Sequence, residues 1–358
     1  MTIAERRLGN GAPVFIVAEV SANHDQKYET AEAIIHAAAA AGADAVKLQT
    51  YTPDTMTIDS DKPWFRVQGK DQPDVWKGET LYHLYQKAYT PWEWHSKLKA
   101  LTERLGLVFF STPFDTTAVD FLEELDVPCY KVASYEATDI TLLKRIARTG
   151  KPVIMSVGFA TLDEITLSVE MLRDHGAGDI ALLHCVTAYS DRPILEQMNL
   201  RTMTDLGERF GVVTGFSDNN GGIDVPIAAA LMGASIIEKH VIHDKQSSGL
   251  DARFSLVPAE LDEMVAGIRR AESIMGSVHF GVQGSSEEEN RHFRRSLFVV
   301  ENVKLGEVFT TKNMRCIRPA SGLEPKFYDN VLGKHAARDV VRGTPLTMDL
   351  LAEGDINT

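Results

Sequence analysis

FIVAEV (15–20), AVKLQT (45–50), LVFFST (107–112), CYKVAS (129–134), PVIMSV (152–157), IALLHCV (180–186), VVTGFSD (212–218) and SIIEKHV (235–241) are eight short apolar runs in the first two-thirds of the chain. Continuous Val, Ile, Leu and Phe character over about six residues suits a strand buried on both faces, as in a parallel sheet. Stretches long enough for a helix separate most of them, among them TAEAIIHAAAAAG (30–42) and AVDFLEELD (118–126). Eight such βα units predict a TIM (β/α)8 barrel, whose chemistry gathers at the C-terminal ends of its strands. Those ends carry Glu19, Lys47, Gln49, Thr112, Lys131, Ser134, Ser156, Asp218, Glu238 and His240. A packing core has little use for such a ring. A site for an anionic substrate does.

The 358 residues exceed one average domain, and a barrel of roughly 250 residues leaves about a hundred over. We expect the barrel over 1–280, a linker over 281–294 and a small β-rich domain over 295–358. PAELDEMVAGIRRAESIMG (258–276) reads as an amphipathic closing helix, and GVQGSSEEENRHFRR has linker composition. Hydrophobic content of 44% with 24% charged residues is ordinary for a globular protein. A net charge of −13 argues against nucleic acid or anionic membrane as partner, though a cleft can still be locally basic. No apolar run reaches the ~20 residues of a membrane span and no signal-peptide core opens the chain, so we expect a cytoplasmic protein. Cys129, Cys185 and Cys316 lack CxxC spacing and read as reduced, buried thiols.

The connection after the second run is long. TPDTMTIDSDKPWFRVQGKDQPDVWKGET reads as a loop over the barrel mouth, the usual place for a functional lid. LYHLYQKAYTPWEWHSKLKALTERLG then takes helical spacing, with Thr90 and Pro91 placed as N-cap and first helical residue. Tyr82, Tyr85, Tyr89, Trp92 and Trp94 could stack on a sugar, and core or loop packing explains them equally well.

Lys47 and Lys131, with Ser134, Ser156, Thr187 and Ser217, would offer ammonium groups and hydroxyls to one point. Phosphate and carboxylate want that set, because charge-assisted hydrogen bonds are the strong ones. Glu19 and Glu136 are candidate general acids or bases, and a cation beside Glu136 would hold it ionised unless burial offsets it. His240 could ligate a divalent metal through a neutral imidazole, although a lone strand histidine is more often structural. His184 and His243 have weaker claims, and Asp251 is solvated unless its loop folds over the mouth.

In this order AEVSANHD, AVKLQTY, FFSTPFD, YKVASYE, LLHCVTAYS, GFSDN and IIEKHV resemble the sialic acid synthase family, and the segment with NMRCIRPASGL resembles that family's antifreeze-like (SAF) domain. Within the family, LYHLYQKAYTPWEWH, the RRSLFVV run and GLEPKFYDNVLGK look most like the pseudaminic acid synthases. The resemblance implies condensation of phosphoenolpyruvate with an open-chain acetamido sugar, here 2,4-diacetamido-2,4,6-trideoxy-L-altrose, releasing phosphate by C–O cleavage. N-acetylneuraminate, legionaminate and spore-coat sugar synthesis are the alternatives within it. It also implies a divalent metal, Mn2+ or Mg2+, polarising the sugar aldehyde.

Carried over by motif, Lys131, Ser134, Ser156, Thr187 and Ser217 would hold the phosphate, and Lys47 and Thr112 the carboxylate. Glu19, Gln49, Tyr189 and Asp251 would lie at the sugar, with Glu136 serving proton transfer. Arg318 would enter the partner's barrel in a domain-swapped homodimer and contact an acetamido group. The family's Ser-Asp-His at the seventh strand is Ser217-Asp218-Asn219 here, so the implied ligands are His240 and Asn219. That exchange points to weaker metal binding, recruitment of Asp218, or an altered activity. Outside the family, the residues also allow a Schiff-base aldolase using Lys131 or Lys47, or a non-catalytic sugar-binding barrel.

Overall fold

All eight runs fold as strands: β1 (Phe15–Glu19), β2 (Ala45–Thr50), β3 (Val108–Pro113), β4 (Tyr130–Val132), β5 (Val153–Ser156), β6 (Ile180–Val186), β7 (Val213–Asp218) and β8 (Ile236–His240). The computed structural model describes residues 1–9, 11–68, 76–245, 249–352 and 354. The strands are parallel and pair in chain order, and β8 closes on β1 with His240 opposite Glu19. The expected barrel is therefore present. A short antiparallel hairpin, Thr2–Ile3 with Arg6–Arg7, precedes it.

The two-residue period of a strand explains how one sequence supplies both a core and a site. Phe15 and Val17 of β1, Ala45 of β2, Val108 and Phe110 of β3, Ile154 of β5, Ala181 and Leu183 of β6 and Ile236 of β8 pack together as the barrel interior. Their neighbours Ile16, Val46, Phe109, Met155, Leu182 and Ile237 belong to the larger cluster beneath the helices. Continuing the inward parity toward the strand ends gives Glu19, Lys47, Thr112, Lys131, Ser156, Cys185, Ser217, Glu238 and His240. The interior thus changes from apolar to polar along each strand. Gly215 holds an inward position of β7 between Val213 and Ser217, and it is glycine because a Cβ there would lie 2.1 Å from Ile236 O.

Asp218 has the other parity. It is buried outside the barrel, where Lys239 Nζ donates to its Oδ2 at 2.6 Å. Facing away from the cavity and paired with Lys239, it is not placed to ligate a metal there, contrary to the recruitment the sequence allowed.

Helices follow the strands, and their first turns are capped as helix amides require. Asp115 accepts from Thr117 N ahead of Thr116–Glu124, and Thr161 with Glu164 forms a capping box on Leu162–Asp174. The stretch after β2 forms two helices, Leu81–Ala88 and Trp92–Arg104. Pro91 occupies the cap position of the second with extended ψ of 128°, so helix begins one residue later than expected. Thr90 does not cap it; its buried hydroxyl meets His24 Nε2 at 3.0 Å. A closing helix spans Pro258–Met275. Among the described residues no helix is long and apolar enough to cross a membrane.

The chain divides into two units, Met1–Gly276 and Ser277–Thr358. In the second, the segment expected as linker carries the helix Ser285–Asn290. Strands β9 (Ser296–Val299) and β10 (Met314–Ile317) pair antiparallel over a core that includes Leu297, Val299, Phe309, Met314, Val331 and Leu346.

Candidate active site

The polar end of the barrel holds an open cavity of ≈ 430 Å³, solvent at its mouth included. Twelve of the expected residues line it: Glu19, Lys47, Gln49, Thr112, Lys131, Ser134, Ser156, Thr187, Tyr189, Ser217, Asn219 and His240. They come from all eight βα units, so the closure of the barrel, not their sequence spacing, brings them together.

Lys131 and Lys47 are the two cations. Lys131 Nζ donates to Ser156 Oγ at 2.7 Å and to Val132 O at 2.8 Å. Burial holds its ammonium below the usual lysine range, against attraction from Glu238. Lys47 Nζ donates to Thr112 Oγ1 at 2.9 Å, forms a short ion pair with Glu19, and lies 3.8 Å from Glu238 Oε1. The carboxylates keep Lys47 charged despite its burial. Burial outweighs the same attraction at Glu19, whose carboxyl is pushed up to about 7. An anion arriving at Lys47 therefore meets a cation whose partner can become neutral.

Hydroxyls complete the anion surface. Gly158 N donates to Ser134 Oγ at 3.1 Å. A Cβ at Gly158 would come within 2.4 Å of Thr187 Oγ1 and 2.9 Å of Ser134 Oγ. Glycine is required here to keep this hydroxyl-lined hollow open. Ser217 Oγ donates to Glu238 Oε1 at 3.2 Å, while Glu238 Oε2 is buried with no hydrogen-bond partner among the described residues.

Three expected residues lie outside the cavity lining. Glu136 sits just past β4 with a buried Oε2 that has no hydrogen-bond partner among the described residues. Burial raises its carboxyl to about 7, with Lys131 opposing. Asp251 is buried, not solvated, because its loop folds against β1: Ser21 Oγ makes a short hydrogen bond to Asp251 Oδ2. Arg318 lies in the second unit, exposed, beyond β10.

The aromatic run after β2 serves packing. Trp92 stacks on Phe121 with centroids 4.6 Å apart, Trp94 meets His24 and Tyr28, and Tyr85 meets Tyr51. Trp76, ending the long loop, does reach the mouth: its ring lies 5.9 Å from that of Tyr189, and its Nε1 donates to Leu250 O at 3.1 Å. Residues 69–75 of that loop lie outside the described residues. His184 is structural, its Nε2 2.7 Å from Met198 O. All three cysteines are free, and Cys316 is only half-buried.

Sequence reasoning gave Glu238 no role and passed over Phe114, Tyr135 and Cys185, which also line the cavity. Strand parity could have found Glu238 and Cys185; nothing in sequence marks Tyr135.

His240 fits a metal-ligating role in part. Its ring is buried, Nδ1 has no hydrogen-bond partner among the described residues, and burial with three nearby lysines holds it well below its usual range, hence neutral. Asn219 Nδ2 donates to Cys185 Sγ at 3.2 Å, which leaves its amide oxygen as the group free to ligate. Among the described residues no three His, Cys, Asp or Glu side chains cluster to hold an ion. Such a donor set suits a hard cation completed by solvent or substrate oxygens.

The NeuB family matches residues 34–280, and the SAF domain matches residues 294–352. The chain belongs to the NeuB family. The resemblance read from its motifs is thereby borne out, second unit included. It is 43% identical over 337 residues to the pseudaminic acid synthase of Helicobacter pylori, covering 94% of this chain and 97% of that one. It is 40% identical over 342 residues to the pseudaminic acid synthase of Campylobacter jejuni, covering 96% of each. The crystal structure of N-acetylneuraminic acid (sialic acid) synthetase from Leptospira borgpetersenii in complex with citrate is similar at a TM-score of 0.70 and 30% identity, over 81% of this chain and 94% of that one.

Proposed function

We propose that this NeuB-family chain condenses phosphoenolpyruvate with 2,4-diacetamido-2,4,6-trideoxy-L-altrose to give pseudaminic acid and phosphate. Its family makes it a transferase of the phosphoenolpyruvate-using nonulosonic acid synthases. The choice of sugar rests on the 43% and 40% identity to pseudaminic acid synthases over nearly the whole chain. The reaction rests on one observation: two buried lysines face a single cavity together with the hydroxyls of Thr112, Ser134, Ser156, Thr187 and Ser217.

Lys131, Ser134, Ser156, Thr187 and Ser217 hold the phosphate, with Gly158 leaving room for it. Lys47 and Thr112 take the carboxylate, and Lys47 exchanges Glu19 for it. The open-chain sugar lies on the side of Glu19, Gln49, Tyr189 and Asp251. Carbon 3 of phosphoenolpyruvate then attacks the aldehyde carbon, water adds at carbon 2, and the tetrahedral intermediate loses phosphate. Glu136, raised to about 7 by burial, is suited to giving or taking a proton near neutral pH. A divalent cation, Mn2+ or Mg2+, held by His240 and Asn219 would polarise the aldehyde oxygen.

No arginine lines the cavity among the described residues. We place Arg318 of a second copy there, in a domain-swapped cytoplasmic homodimer. Mixing Arg318→Ala and Lys131→Met protomers tests this: hybrids should recover activity that neither parent has, and no recovery would reject the swap.

The burial that lowers Lys131 would also serve a Schiff-base aldolase. Incubation with phosphoenolpyruvate and a panel of acetamido sugars separates the readings. Release of phosphate with the altrose derivative supports the synthase, and borohydride-trapped lysine without phosphate release overturns it.

A further inference from the structure

We propose that Ser21 is a positioning residue that sets Asp251 and Gln49 against the sugar and so governs sugar recognition. The proposal rests on the synthase reading given above. Ser21 follows β1, is buried, and has φ of +48°. Glycine takes that conformation without steric cost, whereas a side chain makes it strained. Strain of this kind persists where surrounding contacts over-determine it. Here the contacts belong to the hydroxyl, which a glycine would lack.

Ser21 Oγ donates to Asp251 Oδ2 in a short hydrogen bond and accepts from Gln49 Nε2 at 2.9 Å. Gln49 Nε2 also reaches Glu19 Oε1 at 3.1 Å. One hydroxyl therefore joins β1, β2 and the loop after β8. Ala22 N adds a contact to Asp251 Oδ2 at 3.4 Å. Asn23 Nδ2 donates to Val241 O at 3.0 Å and Ser255 Oγ at 2.8 Å, and Ser255 Oγ donates to Asp251 O at 2.7 Å. Ser21-Ala22-Asn23 thus clips both ends of that loop, and among the three only the Ser21 side chain joins Asp251 to Gln49. None of these three residues lines the cavity that Ser134, Ser156 and Thr187 line.

The informative variant is Ser21→Gly, which tolerates the backbone conformation, relieves its strain and removes the hydroxyl together with its Cβ. Losing a hydrogen bond to a charged group predicts a rise of about ten-fold in KM for the sugar, with KM for phosphoenolpyruvate unchanged. Hydrogen–deuterium exchange of residues 249–256 should accelerate in the same variant. A sugar KM equal to that of the unmodified protein, or both KM values rising together, overturns the proposal even if exchange accelerates. If the unmodified protein releases no phosphate with any sugar in the panel, the synthase reading fails. Exchange then decides the tie alone, and unchanged rates in Ser21→Gly overturn it.

Discussion

Lys131 Nζ lies 2.7 Å from Ser156 Oγ on the adjacent strand, and both groups are buried at the polar end of the barrel. The cation faces a hydroxyl and a carbonyl, with no carboxylate hydrogen-bonded to it among the described residues, so its charge is available to a ligand. Lys131→Met should lower kcat/KM by at least about 100-fold, because charge-assisted bonds to an anion are lost. Its melting temperature should hold or rise, since a buried charge has been replaced by an apolar chain of similar reach. Calorimetric binding of phosphoenolpyruvate at unaltered affinity would contradict this placement.

Gly158→Ala puts a methyl group where Thr187 Oγ1 and Ser134 Oγ converge. We expect KM for phosphoenolpyruvate to rise by about 100-fold while equilibrium binding of the sugar alone is retained, an overpacking effect confined to one end of the cavity. Loss of both together would mean that the hollow serves structure and not the phosphate.

Much of this was legible because it follows from strand periodicity. The runs that name the barrel also place Lys47 after Ala45, and Ser156 after Ile154, on the same inward face. The same rule excludes Asp218, one residue past Ser217 and so facing the helices. What could not be read depends on distant chain segments. Asp251 looks solvated in SSGLDARF until Ser21, 230 positions earlier, is brought against it. Thr90 looks like a helix cap until the buried His24 claims its hydroxyl. The raised carboxyl of Glu136 comes from burial, which local sequence does not encode.

Stability should carry two opposed pH dependences. The folded-state pKa of Glu136 is raised from 4.5 to about 7, so folded protein binds its proton more tightly than the unfolded chain. Its contribution is full below about pH 4.5 and is lost as pH rises to about 7. His95 is lowered from 6.5 to about 4 by burial, so its contribution is lost as pH falls from about 6.5 to 4. The windows overlap and oppose each other. Melting temperatures measured from pH 4 to 8 should show Glu136→Gln gaining on the unmodified protein as pH rises to 7, and His95→Gln gaining as pH falls from 6.5. Parallel curves for all three proteins would rule out both shifts.

If His240 and Asn219 hold a divalent cation as proposed, an imidazole and an amide oxygen would be its protein ligands. Chelator-stripped protein should lose turnover and regain it with Mn2+ or Mg2+. Asn219→His should tighten binding of Zn2+ or Co2+ relative to Mg2+, as nitrogen replaces oxygen. Titration calorimetry with the metal alone reads that preference without turnover. Full activity in stripped protein would exclude a catalytic ion.

The most direct test uses phosphoenolpyruvate carrying 18O in its bridging C–O–P position, incubated with the altrose derivative and the intact protein. Cleavage of the C–O bond predicts inorganic phosphate that retains the label, alongside a nine-carbon acid of the mass of pseudaminic acid. Phosphate without label, or no phosphate release with any acetamido sugar, would contradict the account.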